Sequence, residues 1–184
     1  MFILILGLAV WWGAHLFKRM APRQRAGMGA SGRGMVTGLL ILSVILMVWG
    51  YKIADGPVWW GSSPAMVGIN NLLVLIGFYL FAASGMKTRV TASLRHPQLI
   101  GFSLWAVAHL LVNGDLPSVL LFGALLVWAL VEMVVISRAS PWVRPTGPFP
   151  ARKEAMAAVG AVVVMVVVGV IHGWVGPWPF GGGA

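Results

Sequence analysis

The chain contains no cysteine and only four acidic residues in 184. The first absence excludes disulfides, zinc thiolate sites and iron–sulfur clusters. The second belongs to a wider poverty of charge. Charged residues make up 9% of the chain, against roughly 25% in an average soluble domain, too few to solvate a globular surface of this size. Hydrophobic residues make up 59%, and the mean hydropathy is +0.91. They fall in long runs broken by short basic or Gly/Pro segments, and no polar stretch is long enough to hide a soluble domain. The pattern predicts an all-α polytopic membrane bundle surrounded by lipid. The formal net charge of +9 does not indicate a nucleic-acid partner, because the positive charges sit in short loops between apolar runs.

Six spans can be drawn, at residues 2–17, 36–51, 65–84, 98–112, 118–137 and 156–174. The first has no basic residue before it and no small-residue cleavage motif after it, so it is expected to be a retained span and not a signal peptide. Several runs fall at or below the ~20 residues that cross a ~30 Å core. The Trp-rich flanks at Trp59, Trp60, Trp174 and Trp178 are expected to anchor the bundle at its interfaces. Residues 1–180 form one unit, and the glycine-rich tail 181–184 is expected to be flexible. Gly7, Gly13, Gly38, Gly68, Gly77, Gly101 and Gly123 lie in or near the spans, where they would permit close helix approach.

Loop charge orients the bundle. Lys18, Arg19, Arg23, Arg25 and Arg33 follow the first span; Lys87, Arg89 and Arg95 follow the third; Arg138, Arg144, Arg152 and Lys153 follow the fifth. Of the 13 basic residues only Lys52 is on the other side. The positive-inside rule then places both termini in the periplasm, given a bacterial inner membrane.

The chemistry resides in four histidines, His15, His96, His109 and His172, all within or at the end of a span. Neutral imidazole is the commonest protein ligand for haem and suits other transition metals. Imidazole at bilayer depth also needs a partner, since hydrocarbon offers its nitrogens nothing to bond. His109 follows His96 by 13 residues, about 20 Å of helix at 1.5 Å per residue. Depth alone therefore pairs His109 with His172 near the periplasmic side, and His15 with His96 near the cytoplasmic side. Glu132 lies within the fifth span, where a carboxylate costs roughly 2.5–3.5 kcal/mol on insertion scales. It is expected to bond either a histidine or a helix backbone, Asn70 or Asn71. Asp115 is expected to cap the turn after the fourth span.

Residues 95–115, RHPQLIGFSLWAVAHLLVNGD, resemble the signature segment of the NnrU family, integral membrane proteins associated with denitrification. They are also similar to the related 15-cis-zeta-carotene isomerases, which carry haem b. The resemblance implies haem b as cofactor, with His15 and His109 matching the histidines regarded as its ligands. His172 competes with His15 for the second position, and His96 ranks last. Arg95 and His96, at a helix N-terminus suited to an anion, would serve as an interfacial anchor or a haem-propionate contact. Whether the chain is an enzyme is left open. Three functions follow: a haem protein of nitrogen-oxide respiration, a haem-dependent isomerase of a hydrophobic polyene, or a haem-free scaffold or proton-relaying transporter. The isomerases carry Cys where this chain has Ala106, three residues before His109.

A reporter active only in the periplasm should work when fused after Ala184 and be silent at Gly147. The opposite pattern would overturn both the span count and the depth pairing.

Overall fold

A computed structural model describes residues 1–181; residues 182–184, which make up most of the tail expected to be flexible, lie outside the described residues. The described residues form eight helices: α1 (Phe2–Met20), α2 (Pro22–Gly27), α3 (Gly29–Ile53), α4 (Pro64–Met86), α5 (Val90–Ser93), α6 (Pro97–Val112), α7 (Leu116–Ala139) and α8 (Ala151–Val175). Each of the six drawn spans is one of the long helices. All six extend past the expected bounds at one end or both, because the flanking residues do not break a helix. The largest extension is in α3, which begins at Gly29 and runs through Arg33 before its apolar stretch.

Local chemistry sets where these helices start. Pro64 and Pro97 open α4 and α6, where a missing N–H costs nothing. Ser63 Oγ accepts from the Met66 N–H at 3.3 Å. Asp115 caps α7, accepting from the Ser118 N–H at 2.9 Å and from the Ser118 hydroxyl at 2.7 Å. Lys87 ends α4 in a left-handed conformation with φ of 54°.

Five helices, α1, α3, α4, α7 and α8, are long and apolar enough to cross a membrane, and the chain is a multi-pass membrane protein. The sixth, α6, has only 16 residues, roughly 24 Å of helix against a ~30 Å core. Its ends are held by protein instead. At one, the Trp60 indole N–H donates to the Leu110 carbonyl at 2.9 Å. At the other, Arg95 donates to the Ile136 and Ser140 carbonyls at the end of α7.

The long helices pack in the serial order α3–α1–α7–α6–α4–α8, with α3 also touching α7. Between α3 and α4, Trp59 N–H donates to the Gly114 carbonyl at 2.8 Å, and Leu116 N–H donates to the Pro57 carbonyl at 2.9 Å. These bonds tie the α3–α4 and α6–α7 loops together. Residues 1 and 181 lie at this same end, called here the terminal end, and Lys52 is its only basic side chain. The other end carries the remaining twelve basic residues and Glu154, which accepts from the Arg89 N–H at 2.6 Å.

Close approach of backbones governs two helix pairs. A Cβ on Gly101 would stand 2.8 Å from the Gly77 carbonyl oxygen, and one on Gly77 would stand 2.9 Å from that of Gly101. Gly7 and Gly50 do the same for α1 and α3. Gly13, Gly38, Gly68 and Gly123 have open surroundings and do not serve helix packing as expected. Their faces are left to lipid, as are the exposed valines of α8.

Replacing Gly101 by Val forces α4 and α6 apart and should destabilise the bundle by about 1–3 kcal/mol. Gly38→Ala should leave stability unchanged. Thermal unfolding in detergent compares the two.

Candidate cofactor cavity

A cavity of about 900 Å³ opens inside the arc of helices toward the terminal end. All six long helices line it. Its deeper wall is apolar, built from Trp11, Phe102, Trp105, Phe122, Leu121, Leu125 and Met47. Its outer part is polar and carries His109, His172, Asn70, Asn113, Tyr51 and Lys52.

His109 stands on α6 between two rings, 4.9 Å from Trp105 and 4.6 Å from Phe122 between centroids. Its Nδ1 bonds the Trp105 carbonyl one turn back at 2.9 Å. A carbonyl can only accept, so Nδ1 must carry a proton, and in the neutral ring Nε2 then keeps the lone pair. His172, near the end of α8, reaches the same state by another route. Its Nδ1 donates to the Pro177 carbonyl at 2.7 Å, in the segment that folds back after the helix. Metal-binding histidines are held in this way, with the second nitrogen bonded to a carbonyl or carboxylate that fixes the ring. The depth arithmetic brings these two residues together, and both face the cavity.

His15 has the same bond, from Nδ1 to the Trp11 carbonyl at 3.0 Å, but does not line the cavity. It packs between Trp11 and Trp128, with centroids 4.2 and 4.5 Å away. A layer of rings lies between it and His109: Trp105 is 5.1 Å from Phe102, and Phe102 is 5.2 Å from Trp128. The two histidines matched by the family resemblance are therefore on opposite sides of an aromatic floor. The indole N–H groups of Trp11 and Trp128 are buried in that floor without a partner.

Arg95 and His96 lie at the basic end, away from the cavity. His96 Nε2 bonds the Ser137 hydroxyl at 2.9 Å, and Arg95 holds the end of α7. Burial, reinforced by the neighbouring Arg95 charge, keeps the His96 ring below the usual imidazole range and hence neutral. Together they anchor α6 to α7. Glu132 is buried on α7, one turn beyond Trp128. It bonds none of the partners expected of it among the described residues. Asn70, with its amide turned to match donors to acceptors, instead donates to the Ala108 carbonyl at 2.9 Å.

Sequence reasoning missed most of the cavity wall. Trp11, Trp105 and Trp128 face the interior, whereas Trp59, Trp174 and Trp178 are exposed as interfacial anchors would be. The i, i+4 pairs Trp11/His15 and Trp105/His109 were the available signal, since each puts a ring beside a histidine on one helix face. No group of three or more His, Asp or Glu side chains fit for a metal ion occurs among the described residues. A ligand supplying its own equatorial donors needs fewer protein atoms than a bare ion.

Fold and cavity together define a polytopic helical membrane protein with a histidine-bearing internal pocket. The family profile described as NnrU protein matches residues 3–179, nearly the whole chain, and the chain belongs to that family. No curated protein and no solved structure matches it.

Proposed function

We propose that the cavity holds a b-type haem, which His109 and His172 would ligate. On this reading the protein serves nitrogen-oxide metabolism in the bacterial inner membrane as a redox, sensing or maturation component. The observation that supports it is the matched pair of imidazoles. Both line one cavity, and both donate Nδ1–H to a carbonyl, so that both Nε2 lone pairs are free.

The surrounding residues suit the group. Phe102, Trp105 and Phe122 offer flat apolar contact to a porphyrin, and a volume of about 900 Å³ lies within the range of cofactor pockets. Lys52 lines the cavity and is the only Lys or Arg at the terminal end, where a propionate would need a counter-charge. The ring floor keeps water from the basic end out of the pocket. The bound iron would supply one-electron redox chemistry, tuned by the low polarity of its walls. The isomerase reading gains no support from the geometry, because Ala106, at the position of the isomerases' cysteine, is fully buried and does not line the cavity.

The purified histidine variants test this reading. His109→Ala and His172→Ala should each lose or strongly shift the Soret band, because each removes a main ligand. His15→Ala and His96→Ala should leave the band in place. A spectrum abolished by His15→Ala and untouched by His172→Ala would refute the assignment.

A further inference from the structure

The serial packing of the helices leaves two edges. α3 packs on α1 and touches α7, whereas α8 packs on α4, and α3 and α8 are not packed against each other. Both nevertheless line the cavity, through Val44, Met47, Val48 and Tyr51 on α3 and His172 and Val175 on α8. Several of these residues face both ways. Val44 and Val48 line the cavity yet are 44% and 54% exposed, and Val175 is 64% exposed. A side chain that is at once cavity wall and outer surface marks an opening.

On the α3 side that opening reaches hydrocarbon depth. Val44 stands nine residues before Ile53, the last residue of α3, roughly 13 Å of helix below the terminal end. The end itself is roofed by the segment that follows α8. His172 holds its Pro177 carbonyl, and Trp178 and Pro179 line the cavity. Trp178 and Phe180 lie so close over Gly173 and Gly169 that a Cβ at either glycine would clash. Gly181 reaches Val67 on α4. The cavity is thus covered toward water and open toward lipid.

We propose that the cleft between α3 and α8 is a lateral portal that admits to the cavity an amphiphile dissolved in the bilayer. The class of ligand is a largely apolar body carrying a carboxylate head. The chemistry of the cleft selects it: valine lips for the body, and Lys52 at the terminal end for the carboxylate. Asp115, which also lines the cavity, accepts from the Ser118 N–H and hydroxyl at the start of α7. Resting on the haem reading above, the portal assigns haem a route of loading from the membrane and not from water. A flat apolar ring with two carboxylates places itself in a bilayer with its acid groups at headgroup level, the orientation in which it would pass between α3 and α8.

The absence of cysteine makes the test direct. Val48→Cys and Val175→Cys, introduced together into the full chain, are the only thiols present, and a flexible bis-maleimide with a photocleavable spacer can bridge them after folding. The apo-protein in lipid nanodiscs is mixed with vesicles loaded with haemin, and Soret growth is followed before bridging, after bridging and after photocleavage. Bridging should slow haemin uptake roughly tenfold or more, and cleavage should restore it. Val48→Trp, which narrows the cleft without cross-linking, should likewise slow uptake. Uptake at the same rate with the bridge closed overturns the portal and leaves the cofactor assignment standing. No haemin binding by the unbridged protein overturns the cofactor assignment, and the portal for haem with it.

Discussion

Hydrocarbon satisfies no hydrogen bond, and every polar group placed in it must find its partner within the protein. The architecture follows from that constraint. The loop at the terminal end folds onto α6 because the Leu110 carbonyl near the end of a short helix needs the Trp60 indole. Tyr51 and Ser118 meet across α3 and α7 at 2.8 Å for the same reason. The constraint also fixes the chemistry of the histidines. Three of the four give Nδ1–H to a carbonyl, which leaves three Nε2 lone pairs inside the bundle. The fold separates these three. Two share a cavity, and the third is beneath a floor of tryptophan and phenylalanine rings.

The same floor divides the molecule into two chemical regions. On one side lies a pocket with amide, hydroxyl, imidazole and ammonium groups near its mouth. On the other, His15, Glu132 and Arg19 follow one another along α1 and α7 toward the basic end. Because α1 and α7 run in the same direction, Trp11 meets Trp128 at 5.1 Å, and each subsequent turn brings the next polar residues level. A protein with so few polar residues has concentrated them into two clusters, and the wider one is the pocket.

The helices were readable because apolar runs and basic loops are one-dimensional signals, and the six drawn spans match the six long helices. Their ends were less legible. Gly29 to Arg33 join α3, although nothing in their composition marks them as membrane. The pairing of His109 with His172 was readable from helical rise alone, since both helices run toward the terminal end. What makes His172 a ligand candidate was not readable: its Nδ1 partner is Pro177, in a segment whose return along α8 depends on Trp178 and Phe180 packing over Gly173 and Gly169. The ring floor was missed for a related reason. Trp11, Phe102 and Trp128 come from three helices, and no local pattern announces that they meet. Glu132 stood out as a carboxylate within a span, but that it bonds none of its expected partners among the described residues depends on neighbours that the sequence could not supply.

The central claim is that one cavity, bounded by His109 and His172, holds one haem. Pyridine haemochrome quantitation on the purified full chain, set against protein concentration, tests it most directly. The account predicts one haem b per chain. Two per chain would mean that His15, below the floor, also holds iron; none would mean that the paired imidazoles serve another ligand. Either result would contradict the account.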